Sequence, residues 1–195
     1  MAQYVLVHHG IKGMRWGVRR TPEQLGHKIL SKKDWPKYTK AIRKLVDSLT
    51  PIQRDFIGDG YWIDKNRTEY RSVIGTSEQV KAFCDVYNLP KEHHGEGTII
   101  LAVSNTASGK GYATKLAKQM IRDYNNGKFG KELSSLIWQV DQGNPASDAV
   151  AKKVGFVYIG KEYDGDKPLN VYAYSKSSST IGKKFIERYL KEVRL

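Results

Sequence analysis

The sequence predicts an α/β (α+β) domain, on three observations. β-prone runs and amphipathic helical stripes interleave along the chain. Two of the runs, 98–103 and 133–140, pass through short polar loops into helices. The last two, 156–163 and 169–174, flank the turn Asp164-Gly165-Asp166 and predict a hairpin. Such alternation suits a sheet covered by helices. A chain of 195 residues with 39% hydrophobic and 11% aromatic content can bury a proper core.

Residues 21–33 are polar and basic and read as a linker or irregular helix. Asp34-Trp35-Pro36 marks a helix start, with Asp near the cap and Pro in the first turn. Trp35, Ile42, Leu45, Val46 and Leu49 place an apolar stripe along it, and Thr50-Pro51 ends it. Residues 52–57 suit a second short helix, stopped by Gly58-Asp59-Gly60. Residues 70–74 read as a strand, and 75–78 as a turn. Val80, Ala82, Cys84 and Val86 then alternate with polar Lys81 and Asp85 in a half-buried strand. Cys84 reads as a packed core thiol. Asn125-Asn126-Gly127 stops the helix that follows the third strand. Asn144 can cap the next helix, with Pro145 at its first position and Ala146, Ala149, Val150 and Val154 facing inward. After Ser177-Ser178-Ser179-Thr180, residues Ile181, Phe185, Ile186, Tyr189, Leu190 and Val193 form a helical stripe. That stripe docks on its own domain or on a partner.

The single cysteine excludes an intrachain disulfide. No apolar run approaches the ~20 residues of a membrane span, so no membrane role is expected. The formal charge of +13 sits mainly in the flanks. Residues 1–50 hold 11 Lys/Arg against 3 Asp/Glu, and 177–195 hold 5 against 2. Residues 51–176 are nearly balanced, with 17 against 15. Basic flanks make nucleic acid a candidate partner, and a solubilising surface accounts for them equally well.

The stretch 97–124 organises the chain. Its strand meets a polar loop, 104–109, which opens a helix with Ala113, Leu116, Ala117, Met120, Ile121 and Tyr124 at helical spacing. Gly109 and Gly111 allow a tight turn and a close approach to a ligand. The first N–H groups of a helix lack partners within it and carry partial positive charge. Strand, Gly-rich turn and helix N-terminus together make a pyrophosphate cradle from Gly109, Lys110, Gly111, Tyr112, Ala113 and Thr114. The turn lacks the Gly-Lys-Ser/Thr of a Walker loop and the Gly-x-Gly-x-x-Gly of a dinucleotide fold.

Ser108-Gly109-Lys110-Gly111-Tyr112-Ala113 resembles the cofactor loop Gln/Arg-x-x-Gly-x-Gly/Ala of the GCN5-related N-acetyltransferase (GNAT) superfamily. Asn144, Ser147, Gly155 and Phe156 match that family's later Asn-x-x-Ser/Ala…Gly-Phe segment. The resemblance covers roughly residues 34–176. It implies a mixed, mostly antiparallel central sheet flanked by helices, with splayed central strands. It also implies acetyl-CoA as cofactor and acyl transfer from its thioester to the amine of a small-molecule or peptide acceptor. The splayed strand would bond the pantetheine arm through Leu101, Ala102 and Val103, and Asn144 and Ser147 would lie beside it. Ser108 departs from the family's Gln or Arg.

An amine attacks only when neutral, so a base must take its proton. Glu96, at the entry to the cofactor strand, is the first candidate, and His93 and His94 compete with it because imidazole titrates near neutral pH. Many relatives carry an acidic tyrosine where this chain has Ala151, so that role is empty. Ser147, Tyr158 and Tyr163 are candidates for the leaving-group side. No metal is expected, because adjacent His8 and His9 converge poorly on one ion and no Cys/His cluster completes them.

Residues 8–20, His-His-Gly-Ile-Lys-Gly-Met-Arg-Trp-Gly-Val-Arg-Arg, resemble a short module of tailed-phage head and morphogenesis proteins. The resemblance implies a phage or prophage origin, a phage head protein as partner, and residence in the bacterial host cytoplasm or the virion. The organisation expected is a basic segment and linker, 1–33, an acetyltransferase-like domain, 34–176, and a linker with a C-terminal helix, 177–195. The alternative to an active enzyme is a degenerate member of the same fold that serves as a structural or interaction protein.

Overall fold

The structure, a computed structural model, describes residues 26–57, 68–88, 96–129 and 133–176. Its elements run β1 (His27–Ile29), α1 (Trp35–Asp47), α2 (Pro51–Ile57), β2 (Thr68–Gly75), β3 (Val80–Asn88), β4 (Gly97–Val103), α3 (Tyr112–Asn125), β5 (Leu136–Asp141), α4 (Pro145–Lys153), β6 (Val157–Asp164) and β7 (Lys167–Tyr174). The strands form one sheet in the order β1-β2-β3-β4-β5-β7-β6. Every neighbouring pair is antiparallel except β4 with β5. The mixed, mostly antiparallel sheet flanked by helices is therefore as expected.

The parallel pair is short. It holds only Gly97 with Leu136 and Thr98 with Ile137, after which the strands part. Gly97 sits where they meet, and packing explains the residue type. A Cβ there would come within 2.5 Å of Leu133 Cδ1 and 2.6 Å of Val86 Cγ1. The close approach leaves no room for a side chain.

The strand period of two sends side chains to opposite layers. Tyr70, Cys84, Val86, Leu136, Trp138 and Phe156 pack with Leu116, Met120 and Tyr124 of α3. Val73, Phe83, Ile100 and Ala102 pack with Trp35, Ile42 and Leu45 of α1. In the α1 layer, Arg71 and Asp85 face each other across β2 and β3. Arg71 donates from Nε to Asp85 Oδ1 at 2.9 Å and from Nη2 to Oδ2 at 2.6 Å. Its guanidinium also lies 4.7 Å from the centre of the Trp35 ring. A third cluster, Ile137, Ile159, Val171 and Ala173, lies on β5, β6 and β7.

Four expectations shift. The stretch expected as a linker contains β1, which pairs with β2. Three polar or half-exposed residues carry no periodic signal, and only the neighbouring strand orders them. Asp34 flanks α1 but makes no side-chain cap; its carboxylate accepts instead from Ser31 Oγ at 2.6 Å. β5 begins at Leu136 rather than at residue 133. In α4, the buried side chain is Ala151, while Ala146 and Ala149 are exposed. A short helix at the edge of a cleft buries one row only.

Candidate functional site

The parting of β4 and β5 opens a cleft of about 700 Å³. Ile99 to Val103 form one wall, and Trp138 to Asp141 form the other. Gly109, Gly111, Tyr112, Ala113 and Thr114 close its outer end, Ser147 and Val150 of α4 and its cap Asn144 flank it, Leu49 and Thr50 border it from the turn between α1 and α2, and Gln53 and Ile57 border it from α2. Sheet strands that diverge leave backbone N–H and C=O groups on their facing edges without each other, so the walls can bond an extended, amide-containing chain.

The outer end is built for an anion. Gly111 is the N-cap of α3 in a left-handed conformation, φ 73°, which favours glycine. A Cβ built at Gly109 or Gly111 would meet nothing within 4 Å, so both glycines face open space. The first bond of the helix runs from Lys115 N–H to Gly111 C=O at 3.1 Å. The N–H groups of Tyr112, Ala113 and Thr114 are thus free of intrahelical partners. These features fit the diphosphate of a coenzyme A-type cofactor. On the opposite wall, Asn144 Oδ1 accepts from Ser147 N–H at 3.1 Å and caps α4. That bond leaves the Asn144 amide nitrogen to donate.

The sequence matches the family described as Acetyltransferase (GNAT) domain over residues 13–157, well over half of the chain. The chain belongs to the GNAT acetyltransferase family. Among solved structures, it is similar in fold to yncA, a putative acetyltransferase from Salmonella typhimurium solved with acetyl-CoA. The two are 14% identical, the match covers 79% of this chain and 95% of that one, and the TM-score is 0.58. A ribosomal-protein-alanine N-acetyltransferase from Brucella melitensis is 17% identical, with 76% and 98% covered and a TM-score of 0.57. A chimera of spermidine N-acetyltransferase from Vibrio cholerae and hSSAT is 16% identical, with 84% and 99% covered and a TM-score of 0.54. No curated protein matches the sequence. Residues 2–23 match a family of unknown function, DUF7211. Those residues lie outside the described ones, and the match assigns the segment no phage role.

Within this GNAT domain the expected cofactor residues gather in the cleft, with one exception. Lys110 is exposed, and its Nζ donates to Thr106 O at 3.2 Å rather than lining the wall. Ser108 lines it, and so does Ser147. Glu96 does not; it is buried one residue before the paired end of β4. Tyr163 and Tyr158 stand apart from the cleft on the outermost strand, 71% and 48% exposed. His93 and His94 fall outside the described residues. Ala151, at the position where the resemblance led to the expectation of a tyrosine acid, is fully buried in the core cluster that also holds Trp138 and Tyr172. Cys84 is buried against Met120, and burial pushes its thiol well up, which removes it as a nucleophile. Among the described residues, no group of His, Cys, Asp or Glu could hold a metal ion.

Two features escaped the sequence reading. Gln139 lines the cleft and donates from Nε2 to Glu162 Oε2 at 2.5 Å. A polar residue inside the apolar run Leu-Ile-Trp-Gln-Val was the available signal. Asp148 ties α4 to the sheet. Its carboxylate accepts from Tyr172 Oη at 2.5 Å, Asn170 Nδ2 at 3.1 Å and Lys152 Nζ at 2.7 Å. The Lys152 and Tyr172 hydrogen bonds hold the Asp148 carboxyl below its ordinary range. A carboxyl depressed by folding stabilises the fold above its unfolded pKa, and the stability fades as pH falls through the lower folded value. The tie should therefore be complete at pH 6 and weaken below about pH 4. Urea titrations should show a smaller stability difference between pH 6 and pH 3 for Asp148→Asn than for the parent. Equal differences would remove Asp148 from the acid response.

Proposed function

We propose that the protein is an acetyl-CoA-dependent N-acetyltransferase that acts on the amine of a small molecule or peptide. The observation that carries the proposal is the pairing of a glycine-lined helix N-terminus with a cleft between parted parallel strands. Bound acetyl-CoA would supply an activated thioester. The N–H groups of 112–114 bind its diphosphate, and both glycines keep the approach clear. Backbone groups of Leu101, Ala102 and Val103 orient the pantetheine arm, and one main-chain N–H there polarises the acyl carbonyl. Glu96 takes the amine proton, directly or through water, and Ser147 stands on the leaving-group side. Thr50 and Gln53 cap α2 reciprocally, at 3.0 and 3.3 Å, which steadies the acceptor border.

Calorimetric titration with acetyl-CoA tests the reading. Gly111→Asp places a carboxylate and a strained side chain at the cradle, and affinity should fall tenfold or more, about 1.4 kcal/mol or above. Unchanged affinity in a folded Gly111→Asp protein would sink the cofactor assignment.

The second reading, a GNAT fold that has lost catalysis and serves as an interaction protein, is favoured by the buried Ala151 in place of an acid. Association with a phage head or with nucleic acid is part of that reading and rests on sequence alone: the phage head on the resemblance of residues 8–20, and nucleic acid on the basic flanks. Thiol release with polyamines, amino acids, aminoglycosides and peptides separates the two.

A further inference from the structure

We infer, on the acetyltransferase reading of the cleft, that the acceptor is a linear aliphatic diamine whose second nitrogen stays protonated and is bound by Asp141. Of the described residues that line the cleft, Asp141 is the one that carries a charge. It is half-buried. Its Oδ1 accepts from Gly143 N–H at 2.5 Å. That bond fixes the carboxylate and leaves Oδ2 to accept from a ligand. No cation among the described residues pairs with it.

Asp141 stands on the acceptor side of the sheet. In β5, Leu136, Trp138 and Val140 pack with α3, so Gln139 and Asp141 belong to the opposite face. α1 packs on that face, and Thr50 and Gln53 border the cleft from beyond its end. The diphosphate cradle belongs to the α3 layer instead, since it is the N-terminus of that helix. A carboxylate there would repel the cofactor, whereas on the acceptor face it attracts a cation. Glu162 is in register with Leu169, as Asp141 is, and Gln139 holds it. This face thus carries two carboxylates. Lys167 is in register with Asp164, nearer the β6–β7 turn.

Asp141 suits a nitrogen that does not react. A carboxylate beside an amine favours its protonated form, and a protonated amine cannot attack. Asp141 lies four residues past Ile137, where pairing with β4 ends, about 13 Å along the strand. Glu96 lies just before the paired end. The proposed base and Asp141 are therefore a strand's length apart, and a diamine can turn one nitrogen toward each. When cofactor and acceptor displace water from the cleft, an unpaired carboxylate loses solvation. A second ammonium offsets that loss, and a monoamine does not.

The test reads binding to the full chain, with coenzyme A as an unreactive cofactor. Linear alkyl diamines, and the monoamines of equal carbon number, are titrated calorimetrically with and without saturating coenzyme A. The best diamine should bind at least tenfold tighter than its monoamine. Asp141→Asn keeps an oxygen for the Gly143 N–H and should lose that preference. Asp166→Asn removes the same charge at the exposed β6–β7 turn and should keep it. Equal affinities at every length, no diamine binding, or a preference that survives in Asp141→Asn overturns the inference. If Asp141→Asn is insoluble, ¹H–¹⁵N spectra of the parent decide. The diamine should shift the amide signals of 141–143 more than the monoamine does, and equal or absent shifts overturn the inference. Acetyl-CoA titration tests the cofactor assignment separately. Acetyl-CoA binding without a diamine preference sinks only the acceptor class, and a diamine preference without acetyl-CoA binding sinks only the cofactor assignment.

Discussion

In the Glu96→Gln variant, turnover is expected to fall by about 10²–10⁴, the range for loss of a general base, with acetyl-CoA affinity unchanged. Glutamine preserves the shape and hydrogen bonding of this buried side chain and removes only its basicity. Glu96 is buried and immediately precedes β4, whose Ile100 and Ala102 pack in the α1 layer and line the cleft. In the proposed reaction this buried carboxylate, which stands outside the cleft wall, would accept the proton at a distance from the cofactor turn. Steady-state thiol release on a working acceptor, alongside calorimetry, measures both quantities. A rate equal to the parent's removes Glu96 as the base and moves the question to His94. Ser147→Ala should cut the rate more mildly, because Ser147 flanks the cofactor side.

The second large effect is on stability. Arg71→Met should cost about 3–5 kcal/mol, since it leaves the Asp85 carboxylate buried without its partner. Burial pushes the Asp85 carboxyl up, and the Arg71 guanidinium opposes that shift. The double variant Arg71→Met/Asp85→Leu should recover much of the loss, because it buries no charge at all. Urea unfolding of the parent, both singles and the double gives the coupling. A loss under 1 kcal/mol in Arg71→Met would show that water or other groups already compensate Asp85.

Local signals made much of the fold legible. The stripe from Ala113 to Tyr124 marked α3, Asn144-Pro145 marked the start of α4, and Asp164-Gly165-Asp166 marked the β6–β7 turn. Each depends on residues adjacent in sequence or one helical turn apart. What stayed hidden depends on distant partners. β1 exists because Ser72, Val73 and Ile74 pair with it across some forty-five residues. The Gln139–Glu162 contact joins β5 to an outer strand 23 positions away. The candidate turn at 109–114 was readable because glycine reports its own backbone geometry. That Tyr163 stands apart from the cleft was not legible, because strand membership does not say how far a strand lies from the gap.

The two-residue pairing of β4 with β5 also has a consequence for folding. A sheet interrupted at its centre forgoes the hydrogen bonds that would otherwise join its two halves there. An extended ligand with amide groups can serve as the missing rung, so occupancy and cohesion of the halves rise together. By mass action, a ligand at a hundredfold excess over its Kd adds about 2.7 kcal/mol to the folded state. With such a ligand, the empty domain would be the more fragile of the two states.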